Sequence, residues 1–598
     1  MKLSDYVIQK IAEHGVKHVF MLPGGGAMHL NDSLARSQKI EYVSTLHEQA
    51  AAIAAEAYAR VTNTLGVTLV TTGPGGTNAV TGITGAYLDS TPTLYLAGQV
   101  KRADLKRDSG VRILGVQEVD MVSIVTPITK YAVTITDPSS IRYHLEKAIH
   151  LATSGRPGPV WVEFPLDVQG VQVDPEAMEG FTPPPPAAPA GPPLADQVSQ
   201  AIAMLNEAKR PVILAGNGIR LAGATGDFLR AVEKLKVPVL TTWLGLDLIP
   251  AAHPLCFGRP GSIAPRGANF TLQNSDLLLA VGTRMDMALT AYAHDRLARG
   301  AKKIMVDIDA AEIRKMRTPI HLPVVADAGH FLRELLRQAD KARPVDRSSW
   351  IDWCTVRKEK YPLVLPEHRA VKGAVSMYHF SEVLSEELEE NDIIAPSSSG
   401  FQSEIFILCF QVKKGQRIFH NRGTGSMGFG LPASIGACIA GGRKRTISVD
   451  GDGGIQMNVQ EFATVARLKL PIKTFIINNN GYASNRSSQR NYFNLLVGAD
   501  PESGLYLPDI RKVAEAYGLP TARIDSGEHL RETIRDVLRR PGPIVCEVVV
   551  PPDEERQPVV KSQPKADGSM VSKPLEDLWP FLSREEFLAN MIIPPVEE

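Results

Sequence analysis

Residues 449–454 read Val449-Asp450-Gly451-Asp452-Gly453-Gly454, and residues 476–481 read Ile476-Ile477-Asn478-Asn479-Asn480-Gly481. Each segment has the pattern of an apolar strand, the first ending in a glycine turn with one carboxylate and the second in carboxamides. Glycines let backbone N–H groups approach phosphate oxygens, and carboxylate and amide oxygens are ligands that Mg²⁺ takes. The two segments together predict a cradle for a diphosphate and its divalent cation. The Gly-Asp-Gly turn alone would also be compatible with an ordinary βα turn or hairpin.

The composition of the chain argues against several classes of protein. Its 598 residues carry 65 basic and 65 acidic side chains, so no global field favours nucleic acid or an anionic membrane. The five cysteines have no pair at metal-ligand spacing, which indicates buried thiols in a reducing compartment. The N-terminus reads as an amphipathic helix, and no run of about 18 apolar residues follows. We expect a soluble cytoplasmic protein of three or four domains that binds small molecules or other subunits.

The first part of the chain alternates apolar strands with helical segments. Glycine-rich turns follow two of the strands, at Pro23-Gly24-Gly25-Gly26 and at Gly73-Pro74-Gly75-Gly76-Thr77-Asn78. Repetition of strand, glycine turn and helix predicts a doubly wound parallel sheet with its site at the carboxyl ends of the strands. The turns are therefore site candidates. Between these strands an Ala-rich helix begins at His47-Glu48, where a carboxylate alone would be explained by the helix macrodipole.

A proline-rich stretch marks the clearest domain boundary. Residues 181–193 are rich in proline, and this composition predicts an extended linker. The alternation of strands and helices resumes after the linker. Several of the strands end in Gly or an acid, which is compatible with a bound nucleotide and equally with a purely structural domain. A charged segment then leads to a third α/β region that contains the cradle. We predict α/β domains with doubly wound parallel sheets over residues 1–178, 194–345 and 365–552, a linker over 179–193 and a C-terminal flap over 553–598.

Taken together, these motifs resemble those of the thiamine diphosphate enzymes of the acetolactate synthase (acetohydroxyacid synthase) branch, over nearly the whole chain. The resemblance implies thiamine diphosphate and Mg²⁺ as cofactors, and FAD in the middle domain. It also implies a homo-oligomer, a dimer or a dimer of dimers, in which the cofactor spans the first domain of one subunit and the third domain of another. Five segments carry it in order: the His47-Glu48 helix, Gly73-Pro74-Gly75-Gly76-Thr77-Asn78, Gly155-Arg156-Pro157-Gly158-Pro159-Val160, Gly425-Ser426-Met427-Gly428-Phe429-Gly430-Leu431-Pro432, and the cradle with Gln456-Met457-Asn458-Val459-Gln460-Glu461.

The resemblance also implies roles for individual residues. Glu48 matches the carboxylate that protonates the cofactor's pyrimidine ring, Met427 matches the apolar buttress that bends the cofactor, and the Gly425 carbonyl should accept from its amino group. Asp452, Asn479 and the carbonyl of Gly481 match the metal ligands. Gln117 matches a glutamine near the first-domain site. Further cofactor contacts are expected at Pro23, Gly24, Gly25, Pro74, Asn78, Ser399, Gly400, Phe401, Gln402, Gly451, Gly453, Gly454 and Tyr482, and FAD contacts at Arg284, Asp307, Asp309 and Asp327.

The run after the cradle departs from the family pattern. Acetohydroxyacid synthases have apolar residues and a tryptophan there, and a Phe-Gln pair where this chain has Val116-Gln117. A polar acceptor pocket is the expectation, because a site lined with donors costs desolvation unless its substrate returns the hydrogen bonds. The alternative is that the run is solvated and mobile. In this chain it reads Tyr482-Ala483-Ser484-Asn485-Arg486-Ser487-Ser488-Gln489-Arg490.

We therefore expect a carboligase that decarboxylates pyruvate or a similar 2-keto acid and transfers the two-carbon acyl carbanion to a carbonyl acceptor. The resemblance favours a second pyruvate as acceptor, which gives acetolactate, whereas the polar run favours a polyol such as a keto sugar. Two alternatives remain open: a decarboxylase that protonates the carbanion without ligation, and a catalytically idle homologue with a binding or regulatory role. Retention of Glu48, Asp452 and Asn479 together argues against the idle homologue.

Overall fold

The computed structural model describes residues 1–185, 191–564 and 570–596, so that residues 186–190 of the predicted linker lie outside the described residues. Within the described ranges the chain forms three parallel sheets, of six, five and six strands, and one two-stranded hairpin. The predicted α/β class with three parallel-sheet domains is confirmed. No helix in these ranges is both long and apolar enough to cross a membrane.

The first domain surrounds a six-stranded sheet. Its strands are β1 (His18–Met21), β2 (Glu41–Ser44), β3 (Gly66–Val70), β4 (Thr93–Gln99), β5 (Tyr131–Thr134) and β6 (Pro159–Pro165), in the order β2-β1-β3-β4-β6-β5. Its helices are α1 (Leu3–Glu13), α2 (Met28–Arg36), α3 (Glu48–Thr62), α4 (Pro74–Leu88), α5 (Met121–Val125), α6 (Ile141–Thr153) and α7 (Leu166–Gln169). The central strands β3, β4 and β6 are buried along their whole length, because helices cover both faces of the sheet.

The middle domain surrounds a five-stranded sheet. Its strands are β7 (Pro211–Ala215), β8 (Val239–Thr241), β9 (Leu277–Val281), β10 (Lys302–Asp307) and β11 (Leu322–Val325), in the order β11-β10-β9-β7-β8. Its helices are α8 (Leu194–Glu207), α9 (Gly218–Leu221), α10 (Thr225–Leu235), α11 (Arg266–Gln273), α12 (Ala310–Arg314) and α13 (Ala328–Arg337).

The third domain follows a charged connecting segment that forms α14 (Ser348–Lys360) and α15 (Pro366–Arg369). Its strands are β12 (Ile393–Pro396), β13 (Arg417–Ile418), β14 (Thr446–Gly451), β15 (Ile472–Asn478), β16 (Thr521–Ile524) and β17 (Ile544–Val549), in the order β13-β12-β14-β15-β17-β16. Its helices are α16 (Met377–Glu387), α17 (Phe401–Cys409), α18 (Gly430–Ala440), α19 (Phe462–Leu468), α20 (Ala483–Phe493), α21 (Ile510–Ala516) and α22 (Leu530–Arg539), with a 3-10 helix over Ile455–Glu461.

The first and third sheets share one strand order, and helices α3 and α18 occupy equivalent positions in the two domains. These two helices pack directly against each other. A Cβ on Gly436 of α18 would lie 2.0 Å from the carbonyl oxygen of Ala54 in α3. A residue with a side chain could not occupy this position without separating the helices. Gly436 therefore permits the close contact between the first and third domains of one chain.

A buried ionic cluster also joins these two domains. Arg60 of α3 pairs with Glu56 at 2.6 Å and with Asp89 at 2.9 Å. The Asn421 amide donates to Glu56 at 3.0 Å, and the Arg422 backbone N–H donates to Asp89 at 2.8 Å. Hydrogen bonds to buried charged groups are among the stronger ones in proteins. The loop that leads to Gly425 and Met427 is therefore anchored to the first domain of the same chain.

The C-terminal segment packs on the middle domain. It contains β18 (Ser562–Pro564), β19 (Met570–Ser572) and α23 (Arg584–Ala589). The Asn269 amide donates to the Leu575 carbonyl at 2.7 Å, and the Gln273 amide donates to Glu576 at 2.7 Å. Asn269 and Gln273 of α11 thus supply polar partners to the C-terminal segment, which no local sequence pattern reveals.

Candidate functional site

The predicted cradle lies at the carboxyl ends of two neighbouring strands. Strands β14 and β15 pair in parallel, with Gly451 opposite Ile477, so Asp452 and Asn479 leave the sheet side by side. The Asp452 carboxylate accepts the Gly453 N–H at 2.8 Å and the Gly481 N–H at 3.0 Å. The structure thus brings together the three residues predicted as metal ligands.

The donor set at the cradle fits a divalent cation. Asn479 is 3% exposed, and its side-chain oxygen has no hydrogen-bond partner among the described residues. Such an oxygen is costly to bury without a ligand. Burial raises the pKa of the Asp452 carboxyl to about 6, which a bound cation would counteract. One carboxylate, one amide oxygen and one backbone carbonyl form a hard-oxygen set, and within the described residues no cluster of three His, Cys, Asp or Glu is present.

Two glycines of the cradle touch side chains predicted to contact the cofactor. A Cβ on Gly453 would lie 2.3 Å from the Tyr482 ring, and a Cβ on Gly451 would lie 2.8 Å from the Gln402 amide nitrogen. These side chains cover the glycines closely, so substitution at either position would displace them. The structure therefore places Gly451, Gly453, Gln402 and Tyr482 around one turn.

The Ser399-Gly400 turn begins helix α17 beside the cradle. Gly400 has φ +90° and precedes Phe401, the first residue of the helix. The Gln402 amide donates to the Ser399 carbonyl at 3.0 Å and to the Ser397 hydroxyl at 3.3 Å, which fixes the turn. The N-terminus of a helix favours an anion. A diphosphate held by Gly453 and Gly454 would be compatible with this position.

The glycine-rich loop upstream of α18 presents Met427. Gly425 has φ +59° and Gly428 has φ +76°, a region of backbone conformation that favours glycine. Met427 is 40% exposed. Its thioether is therefore available to contact a ligand or another subunit, as the predicted buttress role requires.

Glu48 is the first residue of helix α3. It is 5% exposed, and its carboxylate accepts a hydrogen bond from the Asn78 amide at 3.0 Å. His47 caps the helix, because its ring Nδ1 accepts the Gln49 N–H at 3.0 Å. The preceding Leu46 N–H donates to Glu461 of the third domain at 2.9 Å. The structure thus brings together Glu48 and Asn78, two of the predicted site residues, with a neutral donor beside the carboxylate.

Three further predicted segments meet at the carboxyl edge of the first sheet. A Cβ on Gly24, which follows Pro23 and precedes Gly25, would lie 2.5 Å from Thr71 Cβ. A Cβ on Gly73, just before Pro74, would lie 2.5 Å from the Gln117 carbonyl oxygen. Gln117 itself has φ +66°. The turns after β1 and β3 and the Gln117 loop therefore lie together, although no periodic pattern marked the Gln117 loop.

A cavity of about 1010 Å³ lies at the carboxyl ends of the strands of the middle sheet. Three of the four residues predicted to contact FAD line it: Arg284, Asp307 and Asp327. Asp309 does not. Its carboxylate instead caps α12 through the Ala311 N–H at 2.9 Å and pairs with Arg156 at 2.9 Å. Asp309 faces the helix start because it is the N-cap residue of α12.

The lining of this cavity fits a dinucleotide. A Cβ on Gly218 would lie 2.7 Å from the Gly282 Cα, so these two glycines let their backbone segments approach closely at the wall of the cavity. Arginines of the lining supply positive charge for a diphosphate, and the carboxylates of Asp307 and Asp327 offer acceptors for ribose hydroxyls. Burial raises the pKa of Asp307. Sequence reasoning missed lining residues from all three domains: Ser90, Arg156, Trp243, Arg333 and Arg422. Arg156 lies within one of the glycine-rich motifs named above, and Arg422 lies just before another. This proximity was the only local sign that the two arginines could belong to a binding site.

Three long side chains of the polar run after the cradle bind groups of the protein itself, whereas the shorter residues Asn485, Ser487 and Ser488 are exposed. Arg486 is 3% exposed, and its guanidinium donates to the carbonyls of Asn479 and Pro552, each at 2.7 Å. The Gln489 amide donates to the Val497 carbonyl at 3.1 Å, and Arg490 pairs with Asp553. The run was expected to present donors to a substrate. Its long side chains instead satisfy backbone and carboxylate groups, because α20 packs them toward the segments on either side.

Comparisons with known proteins match the chain in three parts. Residues 1–124 match the thiamine pyrophosphate enzyme N-terminal TPP binding domain, residues 198–335 the central domain, and residues 401–548 the C-terminal TPP binding domain. A probable acetolactate synthase large subunit of Methanocaldococcus jannaschii is 34% identical over 93% of both chains.

Two further relatives are similar to the chain over most of their length. An acetolactate synthase large subunit of Corynebacterium glutamicum is 34% identical over 93% of this chain and 88% of its own. A chloroplastic acetolactate synthase 2 of Nicotiana tabacum is 33% identical over 94% of this chain and 84% of its own.

Proposed function

Because this chain belongs to the thiamine pyrophosphate enzymes and is acetolactate synthase-like, we propose that it decarboxylates pyruvate, or a similar 2-keto acid, and joins the two-carbon unit to a carbonyl acceptor. One observation carries the proposal: the Asn479 side-chain oxygen is buried beside Asp452 at the ends of adjacent strands and has no hydrogen-bond partner among the described residues. That arrangement supports a bound metal and diphosphate, which an idle binding homologue would not need.

The cofactors divide the work with the protein. Thiamine diphosphate, when bound, supplies the carbon that attacks the keto acid and the ring that stabilises the negative charge after loss of CO₂. Mg²⁺ would be held by Asp452, Asn479 and the Gly481 carbonyl, together with phosphate oxygens. We propose the domain division given by the sequence, with residues 1–178 and 365–552 forming the two halves of the site in a homo-oligomer.

Four residues perform the protein's part of the chemistry. Glu48 would hold a proton at the far nitrogen of the pyrimidine ring, and its buried position would strengthen that hydrogen bond. The Gly425 carbonyl would accept a hydrogen bond from the ring's amino group, and the Met427 side chain would pack against the cofactor. Gln117, at the edge of the first sheet, would meet the bound substrate.

A second pyruvate is the acceptor that the structure supports better. The argument for a keto sugar came from the polar run, but Arg486, Gln489 and Arg490 bind groups of the protein itself. Fewer free donors remain to return hydrogen bonds to a polyol. Ser484, Asn485, Ser487 and Ser488 are the shorter polar residues of the run that would still discriminate between acceptors.

We expect purified protein with pyruvate, thiamine diphosphate and Mg²⁺ to release CO₂ and form acetolactate, measured by mass spectrometry of the products. A keto sugar added in equal amount should produce a minor ligation product. Acetaldehyde as the sole product would instead support a non-ligating decarboxylase. If pyruvate turnover is slow and the keto sugar accelerates it, the keto sugar is the acceptor. If the protein consumes no 2-keto acid at all, the proposal is contradicted.

We also propose that the central cavity binds FAD, without a redox step in the reaction. Replacing Arg284 by Met should lower FAD affinity by about 10–100-fold, the effect of losing one charge-assisted hydrogen bond of about 1.5–3 kcal/mol. Arg284 lines the cavity and also binds Asp89 at 3.1 Å. Flavin released per chain on denaturation gives the measurement.

The exposed Arg314 of α12 provides the matched control for the flavin test, because it lies outside the cavity. Arg314→Met should retain the wild-type flavin content. Wild-type protein that neither carries flavin after gentle purification nor takes it up from solution would exclude FAD as the occupant.

A further inference from the structure

We propose that Arg486 is a positioning residue that holds the backbone between two of the metal ligands, Asn479 and Gly481. The inference rests on the proposed function, because it needs a metal and diphosphate at the cradle. Arg486 belongs to the run in which this chain departs from the acetohydroxyacid synthase pattern. Its position within the fold, rather than that departure, carries the argument.

The Arg486 guanidinium donates to four backbone carbonyls, which belong to three separate segments of the chain. Its Nη2 donates to the carbonyls of Asn479 and Pro552, each at 2.7 Å. Its Nη1 donates to the carbonyls of Asn480 at 3.0 Å and Ala499 at 3.2 Å. A planar guanidinium can direct several N–H groups at fixed angles, which an ammonium group cannot do. The side chain is therefore committed to the backbone and is not free to meet a substrate.

The peptide bond between Asn480 and Gly481 is held from both sides. Arg486 binds its carbonyl, and the Asp452 carboxylate accepts its N–H at 3.0 Å. Asn480 has φ +58° and Gly481 has φ +128°, so this backbone needs support from its surroundings. Loss of the guanidinium would let this peptide rotate, and rotation would move the Gly481 carbonyl and the Asn479 side chain away from Asp452.

The space around Gly481 is closed by the same contacts. A Cβ on Gly481 would lie 2.4 Å from the Ala499 carbonyl oxygen and 2.9 Å from Arg486 Nη1. The Ala499 carbonyl also accepts the Tyr482 N–H at 2.9 Å. The ligand loop, the segment around Ala499 and the start of α20 therefore form one packed unit around the guanidinium.

The charge of Arg486 suits a diphosphate site. The nearest carboxylate at ion-pair distance is that of Asp553, 3.9 Å away and largely exposed. A buried cation with so weak a pairing is costly unless other negative charge lies near. Asp452 and a diphosphate carry more negative charge than one divalent cation neutralises, and Arg486 would offset part of the remainder.

The test uses the full-length protein and Mn²⁺ as the probe, titrated in the presence of thiamine diphosphate and followed by electron paramagnetic resonance. Arg486→Met should weaken Mn²⁺ binding by about 10–100-fold, as loss of a group that orients metal ligands does elsewhere. Arg486→Lys should show a smaller loss, because it keeps the charge but not the fork. Arg490→Met, on the same helix and paired with the exposed Asp553, should change binding by less than about twofold.

The outcomes separate this inference from the proposed function. Failure of the wild-type protein to bind Mn²⁺ with thiamine diphosphate would sink the proposed function. Wild-type binding with equal binding by folded Arg486→Met or Arg486→Lys would overturn the positioning role alone. Thermal unfolding of each variant reports folding. If neither Arg486 variant folds while Arg490→Met does, Arg486 serves the fold and the inference is overturned.

Discussion

Replacing Glu48 by Gln is expected to lower turnover by about 10²–10⁴-fold, the usual contribution of a positioned acid or base. The carboxylate is 5% exposed and accepts a hydrogen bond from Asn78 at 3.0 Å. A carboxamide can accept the same bond, so the start of α3 should stay intact. It cannot hold and release a proton at the pyrimidine nitrogen. Steady-state CO₂ release from pyruvate measures the loss.

Thiamine diphosphate binding distinguishes this chemical effect from a folding defect. Calorimetric titration should give similar cofactor affinity for Glu48→Gln and for the wild-type protein, because the proposed phosphate and metal contacts belong to the third domain. Gln49→Ala, one position along the same helix, is the control and should keep its turnover. Retained activity in Glu48→Gln would remove Glu48 from its assigned role.

Replacing Asp452 by Ala should weaken Mg²⁺-dependent cofactor binding by at least about 100-fold, since even partners outside the coordination sphere typically contribute about 10–100-fold. Two effects combine at this residue. The substitution removes a carboxylate ligand, and it releases the Gly453 and Gly481 N–H groups that the carboxylate accepts at 2.8 and 3.0 Å. Titration of thiamine diphosphate at fixed Mg²⁺ measures the change.

Asn480→Gly is the matched control for the cradle. Asn480 lies between two predicted ligands, has φ +58° and is exposed, so glycine fits its backbone without removing a ligand. Its cofactor affinity should stay close to that of the wild type. An Asp452→Ala variant that still binds thiamine diphosphate with normal Mg²⁺ dependence would contradict the metal assignment.

The two inactive variants also test the arrangement across subunits. In a mixed dimer of Glu48→Gln and Asp452→Ala chains, one site would carry both changes and the other neither. Co-expression with two affinity tags should therefore recover about half of the wild-type turnover in the hybrid. An inactive hybrid would mean that Glu48 and the cradle of the same chain form each site.

Much of the cradle could be predicted because its geometry follows from local rules. Asp452 and Asn479 each follow an apolar strand, and parallel strands in one sheet present their carboxyl ends at the same edge. The glycines beside Asp452 were predicted to let backbone N–H groups approach a phosphate, and in the structure the Tyr482 and Gln402 side chains lie close against two of them. Likewise, a His-Glu pair before an Ala-rich segment indicated a helix start, and His47 is the N-cap.

The direction of long polar side chains could not be predicted in the same way. Arg486 was expected among the donors near a substrate, yet its partners include Pro552, which lies far along the chain. Asp309 was expected to contact FAD, but its carboxylate accepts the Ala311 N–H in the first turn of α12. The type of a residue determines which hydrogen bonds its side chain can form. The direction of the side chain depends on which distant backbone groups remain unpaired after packing.

The sequence by itself determined the α/β class, the turns that carry small residues and the placement of Asp452 and Asn479 at one sheet edge. These features depend on strand and helix periodicity and on glycine's conformational freedom, both of which are local. Only the tertiary structure decided that three domains line one cavity, that α3 packs on α18 through Gly436, and that the Arg486 guanidinium donates to the Asn480 carbonyl. Those contacts join residues remote in sequence, and their energy comes from burial and mutual satisfaction of polar groups after the chain has folded.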